Sequence, residues 1–219
     1  MSYIAERRQE EKDRRRSEIV DAAEDLYREL GWDAVTMDSV AKRARLSRAL
    51  VYVYFKDKTD LHFAIAIRAL EMLHQRFVES SERARTGADK IQAVGRAYIA
   101  YAQEFPHYFD ACARLELRTP SGGAERTAQE KLCHEAGKLP CEVVVVALRA
   151  GQLDGTIRKD LGDLNVLARV LWGFNHGLIQ IAMTKADALA QDGISVQQLT
   201  QQAIGLIMFS LTGRTPPES

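Results

Sequence analysis

The sequence lacks the residue patterns that most enzymes use. It has no G-x-S-x-G nucleophile turn, no phosphate-binding loop and no dinucleotide-binding glycine pattern. His107, His134 and His176 lie in separate segments, and none belongs to an H-E-x-x-H pattern. Cys133 precedes His134 and Glu135 directly, but adjacent residues of a helix point apart, so they are a poor start for a metal site. We therefore expect a protein that is not an enzyme, with no cofactor and no metal.

Cysteines and long apolar runs are also scarce. The three cysteines, Cys112, Cys133 and Cys141, are odd in number and have no C-x-x-C spacing, which favours small buried side chains. No apolar run is long enough to span a membrane. The charged residues 1–16 lack the apolar core of a signal peptide. We expect a cytoplasmic protein without a membrane partner, and thiol sensing through one of the cysteines stays an alternative.

The most informative pattern lies in residues 36–61, TMDSVAKRARLSRALVYVYFKDKTDL. Thr36 and Ser47 are helix N-cap candidates, and each precedes a short segment with helical spacing of apolar residues. Arg45 and Leu46 form the turn between the two segments. This order predicts a helix-turn-helix, in which the second helix enters the major groove of DNA.

Positive charge is concentrated in the same segment, although the 30 basic and 30 acidic residues of the 219-residue chain cancel. Residues 36–58 hold six basic side chains against the two acidic ones of Asp38 and Asp57. The basic residues are Lys42, Arg43, Arg45, Arg48, Lys56 and Lys58. A local excess of four positive charges is expected where a protein meets phosphates, although it is also compatible with a solvated helix face.

Residues 45–58, RLSRALVYVYFKDK, resemble the signature of the tetracycline-repressor (TetR/AcrR) family of bacterial regulators, roughly G-V-S-K/R-G-T-L/I-Y-x-Y-F-x-x-K. The matching residues are Ser47, Arg48, Tyr52, Tyr54, Phe55 and Lys58. The sequence departs from the pattern at Arg45 and Ala49, where the family has glycine, and at Leu50, where it has threonine.

The resemblance implies an all-α fold of about nine helices in two domains. Residues 1–60 would form a three-helix DNA-binding domain and residues 61–219 a helical domain for ligand binding and dimerisation. The chain would be a ligand-responsive transcriptional regulator, most often a repressor, which binds a palindromic operator as a dimer and is released by a small hydrophobic effector. Two alternatives stay open: a redox- or metal-sensing regulator of this fold, and a helical small-molecule- or protein-binding module without DNA activity.

The resemblance also assigns DNA-contacting residues to the helix-turn-helix. These are Thr36, Ser47, Arg48, Ala49, Leu50, Tyr52, Tyr54 and Lys58. Arg48 would pair with a guanine, and Lys58 would meet a phosphate together with the dipole of its helix. Val51 and Phe55 are four residues apart and make the better core pair, which leaves Tyr52 on the DNA side.

The rest of the chain would bind the effector and a second copy of the protein. The ligand-binding candidates are Tyr98, Tyr101, Phe105, Phe109, Cys112, Trp172, Asn175 and His176, any of which also suits a core. We expect the homodimer to form through the last two long helices, over residues 163–184 and 195–212. The apolar residues on these helices are Leu167, Val170, Leu171, Phe174, Leu178, Ile181, Ala203, Ile204, Ile207, Met208 and Leu211.

Two segments set expectations for helix limits. Residues 1–12 are polar and carry nothing apolar to anchor them, so we expect a frayed lead-in ahead of the first helix. Pro140 lies within a long helical pattern, where a missing backbone donor should kink or divide the helix.

Overall fold

A computed structural model describes residues 3–116 and 127–213. These ranges form ten α-helices and no β-strand, which confirms the expected all-α class. The helices are α1 (Tyr3–Leu30), α2 (Met37–Arg43), α3 (Arg48–Tyr54), α4 (Lys58–Glu82), α5 (Gly87–Glu104), α6 (Pro106–Glu116), α7 (Ala128–Asp154), α8 (Leu164–Thr184), α9 (Ala186–Gln191) and α10 (Val196–Thr212). No helix in the described part of the chain is long and apolar enough to cross a membrane.

The chain divides into two compact units. Unit 1 comprises Met1–Ala69 with Pro106–Glu135, and unit 2 comprises Leu70–Phe105 with Ala136–Ser219. Helices α4 and α7 each contribute residues to both units. The domain boundary after residue 60 stays a prediction.

Side-chain caps determine where several helices begin. The Thr36 hydroxyl accepts a hydrogen bond from the Ser39 amide at 3.0 Å at the start of α2. The carboxylate of Asp57 accepts one from the Asp60 amide at 2.8 Å at the start of α4. Ser195 caps α10 in a capping box with Gln198. These contacts satisfy amide groups that have no partner inside the helix, and the first of them confirms the N-cap expected at Thr36.

The structure differs from expectation at three helices. α1 begins at Tyr3, so the predicted frayed lead-in of residues 1–12 was wrong. Polar contacts between residues three or four apart, such as those of Gln9 with Asp13 and Glu11 with Arg14, support helix there without apolar anchors. α7 is continuous through Pro140, so the proline does not divide it. The short helix α9 had no counterpart in the predicted elements.

Each unit has its own apolar core. In unit 1, α1 contributes Ile19, Val20 and Leu26, all of them buried. In unit 2, the core joins α5, α7, α8 and α10 through Ala88, Ile91, Ala147, Leu148, Ile157, Ala168, Leu171 and Leu211. This core positions the helices that surround the internal cavity described below.

Candidate nucleic-acid interface and internal cavity

Helix α3 presents one face to solvent because its other face is buried. Val51 and Phe55 have no exposed surface, which confirms the core pair expected from their spacing. Tyr52 is 42% exposed, and Arg48 and Ala49 also lie on the open side. The helix begins at Ser47, whose hydroxyl accepts a hydrogen bond from the Leu50 amide at 3.2 Å. Three of the predicted contact residues, Arg48, Ala49 and Tyr52, therefore lie on the open face of α3.

The remaining predicted contact residues of this segment lie in mixed surroundings. Leu50 and Tyr54 are half-buried, whereas Thr36 and Ser47 are exposed and use their hydroxyls as caps. A capping hydroxyl accepts a hydrogen bond from an amide of its own helix, and it has one O–H group with which it can donate to another acceptor. The roles of all four residues on DNA stay predictions.

Helix α2 is tied to α1 by an ion pair with two hydrogen bonds. The Arg43 guanidinium donates to both carboxylate oxygens of Glu29, at 2.9 and 2.6 Å. Bidentate pairs of this kind fix orientation as well as distance. Glu29 lies near the end of α1 and Arg43 is the last residue of α2, so the pair joins the C-terminal ends of the two helices.

The turn between α2 and α3 contains a strained arginine. The Leu46 amide donates to the Ala41 carbonyl at 2.9 Å, and the Arg45 amide donates to the Lys42 carbonyl at 3.2 Å. This pair of bonds is the Schellman motif, which places the first residue after the helix cap in the left-handed region, usually a glycine. Arg45 has φ 56° and is the one non-glycine residue with positive φ in the described ranges. A side chain there costs about 1–2 kcal/mol.

Arg48 is paired, but at an exposed position. Its Nε lies 3.0 Å from Asp38 Oδ1, and its guanidinium carbon lies 5.6 Å from the centre of the Tyr52 ring. The interaction with Tyr52 and the charge of Asp38 raise the pKa of Arg48, which keeps the side chain cationic. Exposed pairs contribute little stability, so a base or phosphate can compete for the guanidinium.

Lys58 is held by the protein itself. Its ammonium donates to the carbonyl oxygens of Trp32 and Asp33, at 2.6 and 3.3 Å, and lies 4.8 Å from the centre of the Trp32 ring. Burial lowers the pKa of this half-buried group. The expected phosphate contact of Lys58 stays a prediction, and it would require the ammonium to share or leave these acceptors.

Unit 2 contains an internal cavity of about 40 Å³. Five helices line it: α4, α5, α7, α8 and α10. The lining residues are Phe77, Ile91, Gln92, Val94, Gly95, Tyr98, Cys141, Val144, Ala168, Leu171, Trp172, Asn175, Ile204, Ile207 and Met208. None of them is charged, and the amides of Gln92 and Asn175 with the Tyr98 phenol are the strongest polar groups among them.

An aromatic cluster forms part of the cavity wall. The rings of Tyr98 and Trp172 stack with centres 5.2 Å apart, and the Tyr98 hydroxyl lies 2.8 Å from Nδ1 of His176. The side-chain amide of Asn175 donates to the Leu171 carbonyl at 2.9 Å. Tyr98, Trp172 and Asn175 therefore share the cavity wall, and His176 is hydrogen-bonded to Tyr98.

The other predicted ligand residues lie elsewhere. Tyr101 is buried, Phe105 is half-buried, and neither is among the lining residues. Phe109 and Cys112 belong to α6, which is part of unit 1. Most of the missed lining residues are aliphatic, and their sequence pattern is that of an ordinary core. The signal that could have found the cavity is Gly95, a residue without a side chain that follows the apolar residues Ile91 and Val94 of α5.

Two protein-family models match this chain. Residues 19–65 match the model of bacterial regulatory proteins of the tetR family, and residues 91–207 match the tetracyclin repressor-like C-terminal domain. The chain belongs to the TetR family. The first match covers the helix-turn-helix, and the second contains most of the residues that line the cavity.

Curated relatives of this TetR-family chain match mainly over part of their length. The HTH-type transcriptional activator FasR of Mycolicibacterium smegmatis is 24% identical over 92 residues, which is 42% of this chain and 42% of FasR. The chain thus spans about two fifths of the length of the first curated relatives it matches. The HTH-type regulator Rv0681 of Mycobacterium tuberculosis is 25% identical over 207 residues, covering 91% of this chain and 85% of that protein.

Solved structures share the fold. The transcriptional regulator FadR of Bacillus subtilis, solved in complex with stearoyl-CoA, has a TM-score of 0.67 at 18% identity. The alignment covers 89% of this chain and 98% of FadR. At this identity the similarity establishes the architecture of this TetR-family chain, while the FadR ligand remains a property of FadR.

The cysteines of this TetR-family chain are poor candidates for a thiol sensor. All three are buried. Burial raises the pKa of Cys133 to about 11, so that roughly 0.1% of the thiol is ionised at pH 8. Within residues 3–116 and 127–213, no three histidine, cysteine, aspartate or glutamate side chains cluster as metal ligands. The redox alternative would need a thiolate, because the thiolate is the reactive form.

We expect alkylation of Cys133 by iodoacetamide to accelerate about tenfold per pH unit between pH 7 and pH 10 without levelling off, because its pKa lies near 11. Peptide mass spectrometry isolates the Cys133 adduct from the other two. The same peptide from protein unfolded in urea is the control and should level off near pH 8.5. A native rate that is fast at pH 7 and constant above pH 8 would instead show a thiol poised for sensing.

Proposed function

We propose that this chain is a ligand-responsive, DNA-binding regulator of transcription that binds a palindromic operator as a homodimer. The observation that carries the proposal is the exposed face of α3, where Arg48 and Tyr52 stand clear of the core on a helix fixed by the burial of Val51 and Phe55. A short helix with a polar open face and a buried anchor suits insertion into the major groove. Since its target is chromosomal DNA, the protein acts in the cytoplasm.

Sequence recognition would depend mainly on Arg48. An arginine at the N-terminal end of a recognition helix can donate two hydrogen bonds to the O6 and N7 atoms of guanine. The Tyr52 ring and the Asp38 carboxylate both contact the guanidinium, and two neighbours restrict the movement of the side chain. This preorganisation lowers the entropy lost when the side chain binds a base.

A homodimer would form through the exposed apolar faces of α8 and α10, which pack against each other within the chain. Of the residues expected to form this face, Leu171, Ala203 and Leu211 are buried inside the chain instead. The exposed apolar residues of the two helices are Val166, Val170, Phe174, Ile181, Met183, Leu206 and Phe209. A side chain at Gly173 or Gly177 would meet no atom within 4 Å, so another helix can approach closely there.

The effector would be an uncharged, largely apolar molecule or molecular segment. The cavity wall provides no charged side chain to pair with a carboxylate or phosphate, and it provides a few amide and phenol groups to orient a ligand. Stearoyl-CoA, the ligand of FadR, would find apolar surroundings here for its acyl chain but no lining cation for its phosphates. The proposed effectors are therefore molecules whose neutral, largely apolar part occupies the cavity.

Binding would be coupled to DNA release through helix movement. A cavity of about 40 Å³ holds only a few water molecules, so a larger effector must displace the side chains or helices around it. Phe77 on α4 is one of the lining residues, and α4 begins at Lys58, four residues after α3 ends. An effector that favours a different position of α4 lowers DNA affinity by its differential binding free energy. Release by an effector corresponds to a repressor.

The first test is binding to the DNA upstream of the chain's own gene. We expect Arg48→Ala to weaken binding by about 1–3 kcal/mol and to relax the choice of one base pair in each half-site, measured by fluorescence anisotropy on a set of single-base variants. Arg28→Ala, which removes an exposed arginine paired with Asp25 on α1, is the matched control and should bind normally. Equal losses on operator and random DNA would show that Arg48 touches only the backbone.

The dimer surface can be tested by placing a charge in it. Phe174→Glu should yield a monomer in size-exclusion chromatography with light scattering, because a buried unpaired carboxylate opposes association. Leu153→Glu is the matched control, since Leu153 is 83% exposed on α7, outside the proposed surface, and it should leave a mass of two chains. A wild-type protein with the mass of one chain would contradict the homodimer.

The cavity can be filled from Gly95, whose position leaves open space around an added side chain. We expect the neutral dye Nile red to bind wild-type protein with enhanced fluorescence and Gly95→Leu to lose this binding without loss of helicity. Gly137→Ala is the control, because an added Cβ there makes only an ordinary contact with Leu70 at 3.9 Å. Undiminished dye binding by Gly95→Leu would place the apolar ligand site elsewhere.

A further inference from the structure

The basic residues around α3 divide into those held by the protein and those that are free. Arg43 is bound to Glu29, Arg48 to Asp38, and Lys58 to two carbonyl oxygens. The side chains of Lys42, Arg45 and Lys56 form no hydrogen bond or ion pair with any described residue and are exposed. A phosphate reaches these three cations without displacing a hydrogen-bond or ion-pair partner in the described part of the chain, whereas at Arg43, Arg48 and Lys58 it has to compete with one.

Arg45 differs from the other two because its position is strained. The Schellman bonds of Leu46 and Arg45 at the end of α2 hold the residue at φ 56°. Glycine adopts this conformation without strain, whereas a side chain with a Cβ does not. The Arg45 side chain forms no hydrogen bond or ion pair with a described residue that would offset the strain. Strain that persists without a local structural benefit points to a function of the side chain.

We propose that Arg45 is a DNA-backbone contact of this regulator, in which the guanidinium binds a phosphate beside the groove entered by α3. Arg45 lies two residues before Ser47, the cap of α3, and three before Arg48. The strained turn thus places a positively charged side chain next to the N-terminal end of α3, the proposed recognition helix. An exposed cation that no described residue holds can approach a phosphate, and the contact releases a counterion from the DNA whatever the shape of the cationic group. The inference rests on the proposed DNA binding.

Four residues at position 45 separate the charge from the strain. Arginine and lysine have both a charge and a Cβ, alanine has only the Cβ, and glycine has neither. We expect the wild type and Arg45→Lys to bind alike, and Arg45→Ala and Arg45→Gly to bind alike but more weakly. Thermal stability should depend on the Cβ and not on the charge. We therefore expect Arg45→Gly to melt about 2–4 °C above the wild type, Arg45→Lys and Arg45→Ala.

The probe is a random-sequence 40-base-pair duplex, so the test does not need the operator. Log K falls as log salt concentration rises, and loss of one phosphate contact makes this negative slope shallower by about 0.9 for each protomer bound. At 0.1 M salt this change corresponds to roughly an eightfold loss of affinity per protomer. Arg83→Ala is the control for general loss of charge, because Arg83 is an exposed arginine of unit 2 without a partner among the described residues. It should leave the slope unchanged.

The outcomes distinguish this proposal from the proposed function. Wild-type protein that binds no duplex at low salt would overturn DNA binding and the role of Arg45 together. Wild-type binding with an unchanged slope in Arg45→Ala would overturn the role of Arg45 alone. The same holds if Arg45→Lys binds as weakly as Arg45→Ala, because a phosphate contact requires only the positive charge for its salt dependence.

Discussion

The burial of Val51 and Phe55 is the constraint on which the proposed function depends. α3 has seven residues, and a helix of this length is not stable in isolation. Both side chains have no exposed surface, and the Arg16 guanidinium lies 5.0 Å from the centre of the Phe55 ring, so the inner face of α3 is fixed to unit 1. With this face fixed, Tyr52 must point outward. The same two residues therefore stabilise the helix and determine which of its side chains face solvent.

Polar contacts complete the support of unit 1. The Arg114 guanidinium donates two hydrogen bonds to Asp33 at 3.0 Å each and a third to Asp110 at 2.8 Å, and Asp110 also accepts from the Tyr27 hydroxyl at 2.6 Å. These bonds connect α1, α6 and the turn whose carbonyl oxygens hold Lys58. A rigid support matters because a reading helix must keep its side chains within a fraction of an ångström of their binding geometry. The cavity lies in unit 2, where five helices leave a space of about 40 Å³ between their side chains.

The sequence alone predicted the features that depend on residues close together in the chain. The caps at Thr36 and Ser47 depend on an amide three residues away, and the Val51–Phe55 pair depends on helical spacing alone. The sequence alone did not predict the features that depend on how distant segments pack together. Arginine disfavours positive φ, so the left-handed turn at Arg45 is imposed by the surrounding fold, and the acceptors of Lys58 lie 25 and 26 residues away. The cavity residues come from five helices, and periodicity identifies apolar faces without telling which faces converge.

Footprinting of the full-length chain on the DNA upstream of its gene tests the central claim most directly. If two copies of α3 read successive major grooves, hydroxyl-radical cleavage should show two protected patches on one face of the duplex, with centres about 34 Å or a multiple of one turn apart. Dimethyl sulfate should show protection of guanine N7 within each patch, since N7 lies in the major groove. A single patch, or protection without any effect at guanine N7, would contradict the account.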